Sequence, residues 1–320
     1  MEKYNCKEHA MREFTYRKSG ELIRFPVGVV YGAKDGPTLA VVGGTHGCEF
    51  CGVQAAIDLY NHLDPAKVCG KVVIVMIYNF PGFLNNTGFI VPQDGKNSGG
   101  TFPGSLNGTF SEVMSYNMYY NILGQEKIDF MIELHGGDVP EALTPFIFAL
   151  ETGNKEIDDK INEMSEAYNI ANIIHNKVNP ANSERPAACF GKLVGSGIPA
   201  ILTESGQQGI LNLDDAKVHE EGILNVMKKM GMLEGKLVDT VKRLHLKGHG
   251  AIKSEVVGMW YPQVKLEQLV KKGDKLGEIR DYFGKKIMDV NAPIDGMVTV
   301  YRSSPSVGVG NVIIEMHQPI

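Results

Sequence analysis

The sequence predicts an α/β protein in which a mixed sheet is flanked by helices, followed by a C-terminal all-β domain. Over residues 1–236, apolar runs typical of buried strands end in glycine-rich turns or lead into helical periodicity. Residues 237–320 instead carry short, closely spaced apolar runs separated by Gly and Pro turns, which is typical of a small β-sandwich or barrel. We therefore expect two domains, 1–236 and 237–320.

The composition indicates an ordinary globular protein, with 43% hydrophobic and 22% charged residues among 320. A net charge of -5 without long basic runs argues against nucleic acid as the main partner. No apolar run approaches the roughly 20 residues of a membrane span, and the polar start is not typical of a signal peptide. We expect a cytoplasmic protein that does not contact membranes.

The five cysteines are an odd and scattered set, which favours free thiols in a reducing compartment over a disulfide framework. Cys48 and Cys51 form one C-x-x-C, but no second pair completes a zinc knuckle. We interpret them as structural thiols, with a metal or redox role left as the alternative.

The N-terminal half begins with an antiparallel lead-in over residues 12–31, which turns at Lys18-Ser19-Gly20. The run Leu39-Ala40-Val41-Val42 predicts a central strand, residues 50–63 a helix, and residues 70–78 a second buried strand. The order of strand, turn and helix places the turn at the carboxyl end of a strand, where α/β sheets bind ligands.

That turn carries His46 and Glu49. An imidazole and a carboxylate at this spacing can hold one ion, and both ligand types suit zinc. Two ligands do not make a metal site, and the alternative is a polar turn in which Glu49 is favoured by the helix dipole. A third ligand is expected at the end of another strand.

Downstream, residues 85–108 form a long irregular segment, and such segments beside strand ends are often functional. Residues 111–123 predict a helix with Ser111 as N-cap. A buried strand over residues 128–135 then ends in His135, followed by Gly136-Gly137. His135 is the expected third ligand, although a lone histidine there would more often be structural.

The remaining elements of this half are a strand over residues 145–150, a helix over 154–168, a strand over 198–206 and a helix over 214–230. The strand at 198–206 ends in Glu204. A carboxylate at the end of a buried strand is costly unless it is paired or takes part in chemistry, and a salt-bridged strand end is the alternative. His245 and His249 lie in a probable linker, where we do not expect a metal role.

The chain resembles the succinylglutamate desuccinylase/aspartoacylase family, whose members are relatives of zinc carboxypeptidases. The motifs that carry the resemblance are His46-Gly47-Cys48-Glu49, Asn79-Phe80-Pro81-Gly82-Phe83, Asp94-Gly95, Phe102-Pro103-Gly104, Glu133-Leu134-His135 and Thr203-Glu204-Ser205-Gly206. The C-terminal domain is similar to the barrel-sandwich of biotinyl and lipoyl carriers. No Lys stands between Pro293 and Gly296, so carrier function is not expected.

The resemblance implies that His46, Glu49 and His135 bind one zinc ion and that Glu204 is the general base and acid. Three protein ligands leave a position for water and for a substrate carbonyl. The implied reaction is hydrolysis of an amide without an acyl-enzyme. The candidate substrate contacts are Asn79, Asn97, Gly99, Gly100 and Arg185.

The chain departs from the family in lacking two arginines that bind a substrate carboxylate and polarise the scissile carbonyl. The stretches where they are expected read Asn97-Ser98-Gly99-Gly100 and Asn86-Thr87-Gly88, and no Arg occurs between Arg24 and Arg185. Glycine does not replace a guanidinium clamp. Either the substrate lacks this carboxylate, or Arg185, Lys96 or Lys177 binds it from another loop, or turnover is poor.

We therefore expect a zinc-dependent deacylase of a small N-acyl amine or N-acyl amino-acid derivative. A metallocarboxypeptidase acting on short peptides and a catalytically weak zinc- or ligand-binding protein are the alternatives. The C-terminal domain is expected to shape the site entrance or a homo-oligomer.

Overall fold

The computed structural model describes residues 3–178 and 187–320. The strands of the first part are β1 (Cys6–Tyr16), β2 (Glu21–Tyr31), β3 (Lys34–Val42), β4 (Cys69–Val75), β5 (Phe130–His135), β6 (Glu141–Leu143), β7 (Phe146–Glu151), β8 (Asn172–Lys177) and β9 (Ala200–Glu204). The helices are α1 (Phe50–His62), α2 (Phe80–Asn85), α3 (Phe110–Tyr116), α4 (Lys155–Ala167), α5 (Cys189–Gly195) and α6 (Leu213–Lys229).

The last part of the chain consists of short strands. They are β10 (Leu244–Lys247), β11 (Ile252–Lys253), β12 (Gly258–Pro262), β13 (Leu269–Val270), β14 (Lys275–Arg280), β15 (Lys286–Asn291), β16 (Gly296–Arg302), β17 (Ser306–Val307) and β18 (Val312–Pro319). No helix within the described ranges is long and apolar enough to cross a membrane.

The centre of the fold is a mixed sheet in which β4, β3, β5 and β9 run parallel to one another. The predicted antiparallel lead-in is confirmed, because β1 pairs with β2 and β2 pairs with β4. Both β3 and β5 are buried towards their carboxyl ends, from Leu39 to Val42 and from Met131 to His135. Strands covered on both faces read as continuous apolar runs, which is why the sequence pattern located them. The predicted mixed α/β class is therefore confirmed.

The helix predicted to begin after an N-cap at Ser111 begins two residues earlier, at Phe110, and the N-cap is Thr109. The Glu112 carboxylate accepts a 2.8 Å hydrogen bond from the Thr109 backbone N–H, which fixes the start of α3. Ser111 lies in the first turn, where its N–H and hydroxyl both donate to Asp94 at 2.8 and 2.6 Å. The α-helix ends at Tyr116 and continues as a π-helical turn.

The C-terminal strands do not form an isolated sheet. β10 pairs in parallel with β8, and β18 and β16 extend the same sheet, while β6 pairs with β16. A second four-stranded sheet has the order β15-β14-β12-β17. A separate apolar cluster centred on Trp260, Leu276 and Ile314 lies within this part. A third cluster joins Leu143, Phe146 and Ile174 to Leu246, Met297 and Val300, so apolar contacts and the main sheet both cross residue 236. The division into two domains stays a prediction.

His317 on β18 is a buried polar residue in this C-terminal part. Its Nδ1 lies 2.9 Å from the Thr299 hydroxyl, and its ring stacks on His249, which is paired with Glu315 at 3.3 Å. Burial and the neighbouring His249 lower the pKa of His317 to about 4, although Glu315 opposes this shift. His317 is therefore neutral in the folded protein near neutral pH.

Candidate metal and catalytic site

Three parallel strands bring the candidate residues to one edge of the sheet. β3 precedes His46 and Glu49, β5 ends in His135, and β9 ends in Glu204. The register of β5 and β9 sets His135 directly beside Glu204. Because the carboxyl ends of parallel strands meet at one edge of the sheet, the candidate residues, which were predicted from separate stretches of sequence, lie together at that edge.

The turn after β3 is held closely against the start of α2. A Cβ at Gly47 would lie 2.3 Å from the carbonyl carbon of Gly82, so only glycine permits this contact. Glu49 is the N-cap of α1, and its N–H donates to the His46 carbonyl at 3.3 Å. The chain therefore turns sharply enough for the side chains of His46 and Glu49 to approach each other.

His46 and His135 converge on a single carboxylate. His46 Nδ1 lies 2.6 Å from Glu49 Oε1, and His135 Nδ1 lies 2.9 Å from Glu49 Oε2. Ligand atoms of the three residues all lie within 4.8 Å of one another. Although His135 Nδ1 lies close to Glu49 Oε2, no hydrogen bond of normal geometry reaches this buried oxygen within the described ranges. Two imidazoles and a carboxylate whose second oxygen accepts no such bond are a donor set that fits zinc.

The distal nitrogen of each imidazole faces an acceptor. His46 Nε2 lies 3.1 Å from the Asn97 amide oxygen in a hydrogen bond, and His135 Nε2 lies 3.4 Å from Glu133 Oε1, within ion-pair distance but without hydrogen-bond geometry. Glu133 also accepts hydrogen bonds from the Thr45 hydroxyl at 2.9 Å and from the Phe190 N–H at 2.8 Å. Acceptors at this position hold a proton on Nε2 and leave the Nδ1 lone pair free for a metal ion. The outer partners of metal-bound histidines commonly have this effect.

The charges of the three residues depend on one another. Burial alone would raise the pKa of Glu49, but His46 and His135 beside it lower that pKa. Burial alone would lower the pKa of His46 and His135, but the Glu49 carboxylate raises both. Glu49 is therefore ionised in this arrangement and offers a charged oxygen ligand.

Glu204 is partly buried at the end of β9, and its Oε2 atom is enclosed without a hydrogen-bond partner in the part of the chain that is described. Burial raises the pKa of Glu204 well above its ordinary value. The nearby carboxylates of Glu49, Glu141 and Glu315 raise this pKa further, whereas His135 lowers it. Such an environment favours a carboxyl group that can take up a proton near neutral pH.

The segment predicted to contact substrate packs over His46. Asn97 lies against the imidazole, and a Cβ at Gly99 would lie 3.1 Å from His46 Nε2. Gly100 faces open space, with no atom within 4 Å of an added Cβ in the described structure. Asn79 is fully buried and uses its amide to bind the Gly82 N–H at 2.9 Å and Ser98 Oγ at 3.3 Å. Its contact with substrate stays a prediction.

The structure locates two of the three cations that were considered for a substrate carboxylate. Lys96 is paired with Glu112 at 2.8 Å, and Lys177 ends β8 in an exposed position. Arg185 lies outside the described residues. Arg302 on β16, which the sequence analysis did not consider, lies opposite Glu141 on β6.

Sequence reasoning missed Glu133, Asp138 and Glu141. Glu133 stands two residues before His135, so both side chains leave the strand on the same face, and a charged residue inside a buried strand is the signal that could have identified it. Asp138 and Glu141 lie in the turn after His135, and no periodic pattern marks them. Their nearness to the site depends on the path of this turn.

The C-x-x-C thiols do not join the cluster. Cys48 and Cys51 are buried free cysteines, and the Cys51 thiol lies 3.4 Å from the carbonyl oxygens of Ile210 and Asn212. Burial raises the pKa of Cys48 to about 11, with a further contribution from Asp138. A protonated buried thiol neither binds metal nor reacts readily, which favours the structural interpretation.

The chain is similar to a known family of catalytic domains. The sequence profile of the Succinylglutamate desuccinylase/Aspartoacylase catalytic domain matches residues 35–230. The N-alpha-acetyl-L-2,4-diaminobutyric acid deacetylase of Halomonas elongata is 27% identical over 298 residues, which cover 91% of this chain and 84% of that protein.

Solved structures share the whole fold. A succinylglutamatedesuccinylase/aspartoacylase from Rhodobacter sphaeroides superposes with a TM-score of 0.85 at 22% identity, covering 98% of this chain and 96% of that one. The product-bound ectoine utilization protein EutE (DoeB) from Ruegeria pomeroyi gives a TM-score of 0.85 at 20% identity, covering 98% and 95%. Because the family profile spans more than half of the chain and includes all four site residues, the chain belongs to the succinylglutamate desuccinylase/aspartoacylase family.

Proposed function

We propose that this protein is a zinc-dependent amide hydrolase that removes the acyl group from a small N-acyl amine or N-acyl amino-acid derivative. The observation that carries the proposal is the convergence of His46 and His135 on Glu49, with Glu204 beside His135 in the next strand. These are the parts that hydrolysis by an activated water requires, namely ligands for a metal ion and a carboxylate for proton transfer.

His46, Glu49 and His135 would hold one zinc ion through two nitrogens and a carboxylate oxygen. Zinc bound by three protein ligands lowers the pKa of a water molecule to about 7 and polarises a carbonyl group. Asn97 and Glu133 orient the two imidazoles from their distal nitrogens. We propose Asn97 and Asn79 as positioning residues, with Asn79 fixing the loop that carries Ser98.

Glu204 supplies the proton transfers in this proposal. Its carboxylate takes a proton from the attacking water and delivers it to the nitrogen of the leaving amine, so that one residue serves as base and then acid. Burial and adjacent carboxylates raise the pKa of Glu204. This environment favours holding the proton between the two steps.

The relatives support a deacylase. The Halomonas elongata protein is named as a deacetylase of an N-acetylated diamino acid, and it is similar over most of both chains. The peptidase alternative requires a cation that anchors the C-terminal carboxylate of a peptide. In the described loop over residues 86–100 the one cation, Lys96, is already paired with Glu112. The deacylase is therefore favoured.

We also propose that residues 237–320 form a barrel-sandwich domain without carrier function. The C-terminal apolar cluster and the second sheet support a distinct β unit, and the turn at residues 292–295 contains no lysine. The free cysteines fit a reducing compartment, so we propose that the protein acts in the cytoplasm.

The experiment that tests the function is amine release from a panel of N-acetylated amines and amino acids. The protein is first stripped of metal with a chelator and then reloaded with one equivalent of zinc. We expect the stripped protein to be inactive and the reloaded protein to release amine. Full activity after verified metal removal, or no release from any compound after reloading, would contradict the proposal.

A further inference from the structure

Negative charge accumulates around the candidate centre beyond what a metal ion requires. The charges of Glu49, Glu141 and Glu315 all act on Glu204, and Glu49 acts on Asp138 as well. The group consists of six carboxylates, Glu49, Glu133, Asp138, Glu141, Glu204 and Glu315. A zinc ion would balance the charges of its ligand Glu49 and of Glu204 beside His135, and Glu133 is held by the Phe190 N–H and the Thr45 hydroxyl.

The other three carboxylates have few cations. Arg302 lies opposite Glu141 in the β6 and β16 pairing, and its charge acts on that residue. His249 lies 3.3 Å from Glu315. Among the described residues Asp138 has no ion pair with a lysine, arginine or histidine, although it is fully buried. Burial and the charge of Glu49 raise the pKa of Asp138 to about 6, although His46 and His135 oppose this shift. A cationic ligand beside Asp138 would stabilise its charged form.

Asp138 has an unused hydrogen-bond acceptor. Its Oδ1 accepts a 2.6 Å hydrogen bond from the Val139 N–H, whereas its buried Oδ2 has no partner in the described part of the chain. Gly88 lies over the carboxylate, and a Cβ there would be 3.0 Å from Oδ2. The glycine thus stands in the loop stretch where the family carries an arginine, and no cationic side chain covers the acid from this side.

Glu141 is hydrogen-bonded to the backbone of this buried acid and is itself only partly buried. The Asp138 N–H donates to Glu141 Oε2 at 3.2 Å, and the Glu141 N–H donates to the Asp138 carbonyl at 2.8 Å. The same turn is tied to the chain after Glu204, because the Gly137 N–H donates to the Gly206 carbonyl at 2.8 Å. Glu141 is only partly buried, so its carboxylate can meet a ligand above Asp138.

We propose that Asp138 and Glu141 form a subsite for a primary ammonium group carried by the substrate. Glu141 contacts the ammonium, and Asp138 lies beneath it and adds negative potential. The proposal rests on the proposed deacylase function and narrows its substrates to N-acylated compounds with a second, free amine. It also accounts for the absent arginines, because a guanidinium in this loop would repel a cationic substrate.

The test compares three acetamides of similar length on the zinc-loaded protein. They are N-acetyl-1,4-diaminobutane, N-pentylacetamide and N-acetyl-4-aminobutyrate, which carry a positive, no and a negative charge. We expect kcat/KM for the cationic compound to exceed that of the neutral one by at least about tenfold. Glu141→Gln and Asp138→Asn should each remove most of this preference. The preference is read as the ratio of kcat/KM for the two compounds in the same variant, because the charge of Glu141 also acts on Glu204.

These variants keep the local hydrogen bonds, because an amide oxygen can still accept from the Asp138 or Val139 N–H. Glu163, a half-buried acid on α4, is paired with Lys160, and Glu163→Gln removes the same charge elsewhere and should keep the preference. Equal kcat/KM for the cationic and neutral acetamides would overturn the subsite and leave the deacylase function intact.

If no acetamide is hydrolysed, the deacylase function is refuted, and a binding measurement then tests the ammonium subsite by itself. Calorimetric titration with 1,4-diaminobutane and with pentylamine should show tighter binding of the diamine by about tenfold or more. Glu141→Gln should abolish this difference with an unchanged zinc content. Equal affinities in the unsubstituted protein, or an undiminished difference in Glu141→Gln, would overturn the subsite.

Discussion

The carboxylate of Glu133 should control how strongly His135 binds metal. Its Oε2 accepts from the Phe190 N–H, which can only donate, so the oxygen of a glutamine at this position would remain there. The glutamine NH₂ would then occupy the place of Oε1, facing His135 Nε2 at 3.4 Å. Because two donors would oppose each other, the imidazole proton would move to Nδ1 and block the lone pair that binds the ion.

We expect Glu133→Gln to weaken zinc binding by about 10- to 100-fold, or about 1.4 to 2.7 kcal/mol, as for other outer partners of zinc-bound histidines. The Thr45 hydroxyl can rotate to accept from the new NH₂, so the fold should persist. The assay is competition for zinc with a chromophoric chelator, alongside thermal unfolding of the metal-free protein.

Glu163→Gln, which removes a half-buried carboxylate on α4, is the matched control and should bind zinc like the unsubstituted protein. A zinc affinity for Glu133→Gln within twofold of the unsubstituted protein would refute the reasoning. Such a result would mean that Glu133 does not set the tautomer of His135.

Three further predictions concern the catalytic base, the packing over His46 and the pH dependence of stability. Glu204→Gln should lower kcat by about a hundredfold to ten-thousandfold and retain zinc; unchanged kcat would remove Glu204 from the mechanism. Gly99→Ala should crowd His46 and weaken zinc binding by about tenfold, whereas Gly100→Ala should have little effect; equal affinities in chelator competition would contradict this. Because the pKa of His317 is lowered to about 4 by burial and His249, the unfolded chain gains the proton first as the pH falls. Between pH 7 and 4.5 the free energy of unfolding in urea should therefore drop by about 2 kcal/mol more in the unsubstituted protein than in His317→Gln. Equal drops in the two proteins would contradict this prediction.

The central sheet and the ends of its strands were predictable from the sequence. Buried parallel strands such as β3 and β5 are apolar on both faces, so His46 and His135 stand out where the runs end. Because parallel strands present their carboxyl ends at one edge, residues 89 positions apart in the chain were expected to meet. Their convergence on Glu49 agrees with that expectation.

Contacts that depend on irregular backbone were not predictable. Asn97 reaches His46 because a single turn of 3-10 helix carries it there, and the Asp138 turn is held by Gly206 and Glu141. Ser111 was predicted to be the N-cap because serine is favoured there. It lies inside the first turn instead, where its hydroxyl donates to Asp94, 17 residues away in the sequence. The addition of β16 and β18 to the main sheet likewise has no local signal, since antiparallel edge strands can pair with any exposed partner.

The most direct test of the account is the zinc content of the purified protein, compared with that of His135→Ala. We predict one zinc per chain in the unsubstituted protein, which has all three ligands. In His135→Ala only His46 and Glu49 remain, so we predict substoichiometric zinc in this variant after dialysis against a weak chelator. Absence of bound zinc in the unsubstituted protein after reloading, or one zinc retained by His135→Ala, would contradict the assignment of the site.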